Sequence, residues 1–140
     1  ITAYRGATGF GIRLDGGTAY SGAVITRFYD PLLEKITAWA PTAEEATARM
    51  EQIPGVRIFG QARDKAAILS FLIEGAHPHD VGTIFDHAGV SVRAGHHCAQ
   101  PVMERYGIPG TVRASFALYN TRNDVNLLID AVGKVKEIFK

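Results

Sequence analysis

The stretch Ala67-Ile68-Leu69-Ser70-Phe71-Leu72-Ile73 decides how the rest of the chain is interpreted. It is apolar except for one serine, and a short apolar run bounded by turn signals is typical of a buried strand. We therefore expect it to occupy the centre of a sheet. Helix signals follow it: Pro78 opens a helix that runs to Ala88, and Gly89 stands where a left-handed residue ends helices.

Toward the C-terminus, strand and helix patterns continue to alternate. We expect a short strand over residues 90–93, a loop over 95–98 and a short helix over 99–106. Residues 111–117 alternate as a strand. The last helix, roughly residues 122–139, is predicted by one apolar stripe, formed by Val125, Leu128, Ile129, Val132, Val135 and Ile138.

Toward the N-terminus, the pattern changes to glycine-rich β structure. Strands are predicted over residues 9–14, 23–28 and 33–40, within a meander of about four strands. A first helix follows, with Thr42 as its N-cap and Glu45 completing a capping box. It ends before Pro54-Gly55, and residues 56–59 form the next strand.

These patterns predict an α+β fold in a single compact domain over residues 1–140, with a mostly antiparallel sheet of about six to eight strands and three or four helices. The pattern changes near Met50. Residues 1–50 read as a β-meander plus the start of a helix, and residues 51–140 as a segment of order αββαβαβα. No Pro- or Ser-rich linker separates them, so we place the junction at about residues 48–54, inside or just after the first helix.

Composition excludes several function classes. The net charge is +1, from 15 basic and 14 acidic residues, without a basic stripe, so neither nucleic acid nor a membrane is an expected partner. The apolar runs are too short to span a bilayer. Cys98 is the single cysteine, which excludes an internal disulfide and fits a reducing compartment. The start, Ile1-Thr2-Ala3-Tyr4-Arg5, has neither Met nor a signal peptide and reads as the interior of a longer sequence.

The strongest chemical signal is Arg93-Ala94-Gly95-His96-His97-Cys98-Ala99-Gln100-Pro101. The cysteine lies in a glycine-containing loop, after two histidines and just before a helix. Positive charge and a helix N-terminus both favour a thiolate, the form that acts as a nucleophile. The alternative is a buried, inert cysteine.

Arg113 is the second signal, because a charged side chain in the otherwise apolar strand at 111–117 is costly unless it is paired. Its planar guanidinium suits a carboxylate ligand. An internal salt bridge or a position at the sheet edge explains it equally well.

A metal site is not expected, although the chain offers suitable ligand types. Adjacent histidines cannot easily reach one ion, and there is no Cys-x-x-Cys or His-Glu-x-x-His pattern. Two of the histidines, His77 and His79, are expected at the start of the second helix, as solvent-exposed or capping residues. The five residues that could act as ligands are His77, His79, His96, His97 and Cys98.

Residues 53–139 closely resemble the C-terminal part of a group II cysteine desulfurase. The matching stretches are Ile53-Pro54-Gly55-Val56, His79-Asp80-Val81-Gly82, residues 92–101, and Val112-Arg113-Ala114-Ser115-Phe116-Ala117-Leu118-Tyr119-Asn120-Thr121. The resemblance implies that Cys98 is the position that takes sulfur as a persulfide. It also implies that Arg113 grips the substrate carboxylate and that Arg93 lies on the same loop. The family needs pyridoxal phosphate, whose binding groups lie upstream of the matching segment.

Residues 1–50 resemble a different family, the C-terminal subdomain of the biotin carboxylase part of pyruvate carboxylase. The resemblance implies scaffold and subunit-contact roles, with Phe10 and Arg13 near a dimer surface. The matching stretches are residues 1–5, Gly9-Phe10-Gly11-Ile12-Arg13-Leu14-Asp15, 18–22, Tyr29-Asp30-Pro31-Leu32-Leu33-Glu34-Lys35 and Trp39-Ala40-Pro41.

These two resemblances together predict an engineered chimera that is not an enzyme. Its desulfurase positions Cys98, Arg113 and Arg93 would be vestigial, and we expect no cofactor, metal or small-molecule substrate. One alternative is a residual persulfide acceptor that acts through Cys98. The other is an interaction module that forms a homodimer, because missing neighbouring domains would expose apolar surface. Localisation is left open; the enzymes that the two segments resemble are cytoplasmic.

Overall fold

The computed structural model describes residues 2–5, 12–16, 20–24, 34–38, 41–60, 62 and 66–140. Its contacts divide the chain into two compact units, residues 1–39 and 40–140.

The first unit contains a two-stranded antiparallel sheet. Strand β1 (Ile12–Gly16) pairs with β2 (Glu34–Ala38), so that Ile12 lies opposite Ala38 and Gly16 opposite Glu34. Both overlap strands that the sequence predicts. The predicted strand over residues 23–28 falls largely outside the described residues.

The second unit contains a four-stranded sheet of order β3-β4-β6-β5, antiparallel throughout. Its strands are β3 (Val56–Phe59), β4 (Ile68–Ile73), β5 (Arg93–Gly95) and β6 (Thr111–Ser115). The predicted central position of the apolar stretch is confirmed, because β4 lies between β3 and β6. The strand expected over residues 90–93 is displaced toward the C-terminus and begins at Arg93.

Four helices are found in the described part of the chain: α1 (Pro41–Glu51), α2 (Pro78–His87), α3 (Gln100–Tyr106) and α4 (Arg122–Ile138). The α+β class with antiparallel strands is therefore confirmed. A single sheet of six to eight strands is not confirmed, because the six described strands form separate sheets of two and four. None of the described helices has the length and apolarity that a membrane span requires.

Helices α1, α2 and α4 cover one face of the four-stranded sheet. Side chains alternate along β4, and Leu69, Phe71 and Ile73 are buried while the residues between them are more exposed. The buried set packs with Phe85 of α2 and with the α4 stripe in one core. The stripe is confirmed except at its end, where Ile138 is 63% exposed. The opposite sheet face is thus left for α3 and the loops.

The start of α1 differs from the predicted capping box. The helix already includes Pro41, so Thr42 lies within its first turn, where its buried Oγ1 has no partner among the described residues. Glu45 does not turn back toward the N-terminus; its Oε1 lies 3.0 Å from Nε of Arg122 at the start of α4. The capping-box prediction was wrong because the acidic side chain links two helices instead.

Helix α4 begins with a capping box formed by Thr121 and Asp124. The Thr121 backbone N–H donates to Asp124 Oδ2 at 2.6 Å, and the Thr121 hydroxyl lies 3.0 Å from the same oxygen. These hydrogen bonds, the backbone one foremost, lower the pKa of Asp124 below its ordinary value of 3.8.

Asp124→Asn should therefore lower the free energy of unfolding at neutral pH and lose that effect in acid. A depressed carboxyl pKa contributes stability above pH 3.8 that disappears as the pH falls through the folded-state value. Urea unfolding at pH 7 and below pH 3 measures both limits. Asp130→Asn, an exposed position on the same helix, is the control. Equal effects of the two substitutions at pH 7 would contradict the capping role.

Candidate functional site

Four side chains form a row across the uncovered face of the sheet. The registers place Phe59 of β3 opposite Ser70 of β4, Ser70 opposite Arg113 of β6, and Arg113 opposite Arg93 of β5. Directly paired residues project on the same face of a sheet. The displaced start of β5 thus brings together the two arginines singled out in the sequence.

The loop after β5 turns sharply before α3 begins. Its turn is closed by the Ala99 N–H, which donates to the His96 carbonyl at 2.9 Å. His97 and Cys98 adopt left-handed backbone conformations, with φ of 54° and 59°. Each such residue costs about 1–3 kcal/mol and persists only where the surroundings hold it.

Cys98 is exposed at this turn. Its Sγ lies 3.8 Å from Nη2 of Arg93, at the start of β5. The sequence left the exposure of Cys98 open, and the alternative of a buried cysteine is wrong. The loop therefore presents a thiol to solvent with a guanidinium alongside.

His97 holds the loop against β6, a role that the sequence did not indicate. Its Nε2 lies 3.0 Å from both the carbonyl oxygen and Oγ1 of Thr111, a side chain that is only 2% exposed. Burial lowers the pKa of His97 below its ordinary value of 6.5; the bond to Thr111 opposes this, and Arg113, Arg93 and His96 add to it. Nothing in the local pattern separates His97 from His96, because its partner lies 14 residues away.

The pKa of His97 predicts a pH dependence of stability. Because the folded-state pKa is lowered, the unfolded chain binds the proton more readily, and stability should fall as the pH drops below 6.5. His97→Gln should reduce this loss, as measured by urea unfolding between pH 5 and pH 8, since glutamine does not titrate there. His87→Gln, an exposed histidine at the end of α2, controls for the removal of one imidazole. A slope left unchanged by His97→Gln would refute the prediction.

Arg113 is half-buried on the open sheet face and lines a pocket of about 360 Å³. Its buried Nε has no hydrogen-bond partner within the described chain. The described residues also give it no ion pair, so they do not support the internal salt bridge considered above. The other pocket residues include Ser70, His97 and Thr111 beside apolar side chains of α3. An unpaired guanidinium in this setting suits an anionic ligand.

His77 caps the start of α2 and His79 is exposed there, in line with the predicted capping or solvent-exposed roles. Nδ1 of His77 accepts a hydrogen bond from the His79 N–H at 3.3 Å, and the two rings stack 5.5 Å apart. No group of three or more His, Cys, Asp or Glu residues able to hold a metal converges in the described ranges. The expectation of no metal site stays a prediction.

Pyridoxal phosphate, which the desulfurase resemblance implies, does not fit the residues that the structure describes. A Schiff base requires a lysine at the reacting centre. The described lysines of the second unit, Lys134, Lys136 and Lys140, lie on or just after α4, which packs on the opposite face of the sheet. Nζ of Lys136 donates to the Pro54 carbonyl at 2.7 Å. The open face thus offers Cys98, Arg93 and Arg113 without a lysine among the residues described.

The chain is similar in sequence to bacterial cysteine desulfurases. The model of the aminotransferase class-V family matches residues 22–128. A probable cysteine desulfurase of Mycolicibacterium paratuberculosis is 45% identical over 106 residues, covering 75% of this chain and 16% of the relative. One from Streptomyces coelicolor is 42% identical over 121 residues, covering 84% of this chain and 29% of the relative. The chain thus spans less than a third of these relatives.

Solved structures agree with this similarity. The crystal structure of the Escherichia coli cysteine desulfurase CsdA has a TM-score of 0.65 and 38% identity, covering 71% of this chain and 24% of that one. The desulfurase of Thermococcus onnurineus gives a TM-score of 0.56 and 39% identity. The desulfurase resemblance is confirmed. None of these matches supports the biotin carboxylase resemblance, and the family match begins at residue 22, inside the segment assigned to it. The chain belongs to the aminotransferase class-V family.

Proposed function

We propose that this chain is the sulfur-accepting part of a cysteine desulfurase, and that alone it takes up sulfur on Cys98 without breaking the carbon–sulfur bond of cysteine. The observation that carries the proposal is the exposed Cys98 thiol with Nη2 of Arg93 3.8 Å from its sulfur. The identity of 45% to a probable cysteine desulfurase supports it. Of the functions predicted from the sequence, the persulfide acceptor is the one that this geometry favours.

The step requires only a persulfide donor. The Cys98 thiolate attacks the outer sulfur of a donor R–S–SH, a new S–S bond forms on Cys98, and the donor's own S–S bond breaks. The donor leaves as the thiolate R–S⁻, and the transferred sulfur keeps its proton. The guanidinium of Arg93, 3.8 Å from Sγ, attracts the negative charge of the attacking sulfur. Atoms and charge balance without any further oxidant.

Cleavage of cysteine itself is not proposed for this chain. That reaction needs an electron sink to weaken the substrate's carbon–sulfur bond. The described residues place the guanidinium of Arg113 and the exposed thiol of Cys98 here, but no lysine on their face of the sheet. We therefore assign cleavage of cysteine to a longer protein that contains the missing groups.

Mass spectrometry of the intact chain tests both halves of the proposal. With glutathione persulfide as donor, we expect a gain of one sulfur atom on Cys98 that dithiothreitol reverses. With cysteine and added pyridoxal phosphate, we expect neither alanine nor sulfur gain. Absence of the first gain would refute sulfur acceptance, and alanine release in the second incubation would refute the lack of turnover.

Homodimerisation through the loop after β6 is the second candidate function. Leu118 and Tyr119 are adjacent there and are 74% and 77% exposed. Neighbouring exposed apolar side chains favour association. Light scattering of the wild type and of Tyr119→Ser should show a dimer that the substitution weakens. A monomer at high concentration in both would reject the idea.

The fusion of two families also remains a proposal. Its support is the separation of residues 1–39 from 40–140 in the described contacts, together with the motifs quoted for residues 1–50. Denaturant-dependent hydrogen exchange on the whole chain should then show two opening events. A single cooperative event that includes both segments would contradict independent units.

A further inference from the structure

The ring of His97 has a defined hydrogen-bonding state that follows from its partners. The Thr111 carbonyl can only accept, and it lies 3.0 Å from Nε2 of His97. Nε2 must therefore carry the proton, with Thr111 Oγ1 as a second neighbour at 3.0 Å. Nδ1 is then an unprotonated acceptor, and it is buried without a partner in the described chain. An unpaired acceptor is tolerated here, whereas an unpaired buried N–H⁺ is far more costly.

The surrounding charges favour the same neutral state. The groups near the ring are Arg113 on β6, Arg93 on β5 and His96 in the loop itself. The two guanidinium groups are cationic, and no described carboxylate contributes to the environment of the ring. A proton on Nδ1 would therefore meet only like charge.

The anchor acts where the loop backbone is strained. His97 and Cys98 are consecutive left-handed residues, a conformation that non-glycine residues hold only when their surroundings impose it. From this loop, the His97 side chain reaches the first residue of β6 across 14 positions of sequence. Beside it, Gly110 lies against the backbone of Gly95, so the two chain segments are already in close contact.

We propose that His97 is a positioning residue for Cys98: as the neutral tautomer protonated on Nε2, it ties the cysteine loop to the Thr111 carbonyl and so holds the thiol beside Arg93. This inference rests on the proposed sulfur acceptance only in the claim that the thiol is held there to accept sulfur. The anchor itself is a property of the ring and its partner.

A matched pair of substitutions isolates the donor atom. In His97→Gln the side-chain nitrogen falls where Nε2 stands, and in His97→Asn it falls at the place of Nδ1, one atom short of Thr111. The glutamine variant should keep the Ala99 amide protected from exchange, since that N–H closes the turn. The asparagine variant should exchange this amide at least tenfold faster and take up sulfur more slowly from glutathione persulfide. Exchange of the β4 amides reports whether each variant is folded.

Nitrogen NMR of the wild-type ring provides a test that no substitution can confound. We expect one tautomer at neutral pH, with Nε2 protonated and Nδ1 bare. A ring protonated on Nδ1, or averaged between tautomers, would overturn the proposal, as would equal exchange of Ala99 in the two variants. A locked tautomer in a chain that takes up no sulfur would instead refute the proposed function and leave the anchor standing.

Discussion

Cys98→Ser should abolish sulfur uptake from glutathione persulfide completely. The hydroxyl group is close in size to the thiol, so the left-handed loop and its contact with Thr111 are retained. However, serine has no sulfur with which to form a persulfide, and its hydroxyl stays protonated without an adjacent base. Intact mass should therefore show no gain of sulfur. The far-ultraviolet circular dichroism spectrum and the free energy of unfolding should stay close to those of the wild type.

Arg93→Gln provides the graded comparison. An exposed charge–charge contact contributes about 0.2–1 kcal/mol, which corresponds to a change of less than about fivefold in rate. We expect sulfur uptake to be slowed within that range and not to be lost, because Cys98 stays exposed. Retention of sulfur on the Cys98→Ser variant would show that uptake does not occur at this residue. An unchanged rate in Arg93→Gln would show that the 3.8 Å contact has no chemical role.

The elements that were predicted most accurately are determined by residues close together in the sequence. The strand over Val56–Phe59 was predicted with its bounds, and the apolar stretch was correctly placed at the centre of its sheet. Helix α4 follows from its stripe and from the Thr121–Asp124 pair. In each case the deciding residues lie within about one helical turn or one strand of each other, where propensity and periodicity are informative.

The arrangement of the site depends on contacts between distant residues, and the sequence could not supply it. Arg93 was recognised as part of the cysteine loop, but its register opposite Arg113 depends on where β5 begins. Likewise the sequence indicated His97 as a neighbour of the cysteine and as a possible metal ligand, but not as an anchor of the loop, since its partner Thr111 lies on another strand. Glu45 matched a capping box in sequence, yet its ion pair with Arg122 spans 77 residues. Pairings at this separation are settled by packing of whole elements.

Gly110→Ala should be the most destabilising single-methyl addition in the second unit that we can identify. A Cβ at this position would lie 2.9 Å from both the carbonyl carbon and the oxygen of Gly95, which are backbone atoms and cannot rotate away. Relief requires β5 to move off β6 at the point where Gly95 pairs with Thr111. The φ of 155° at Gly110 adds strain for a residue that has a side chain. Overpacking and backbone strain together predict a loss of about 2–4 kcal/mol in the free energy of unfolding.

Gly133→Ala is the matched control, because it adds the same methyl group within α4, where no atom beyond the chain neighbours and the helix's own backbone lies within 4 Å of the new Cβ. There alanine should stabilise the chain by about 0.5–1 kcal/mol through its higher helix propensity. Urea unfolding of both variants measures the two opposite changes. Gly95, which the new methyl group would displace, leads directly into the cysteine loop. Gly110→Ala should therefore also speed exchange of the Ala99 amide, and Gly133→Ala should not. If Gly110→Ala unfolds at the wild-type urea concentration, the close approach of β5 and β6 does not hold the loop.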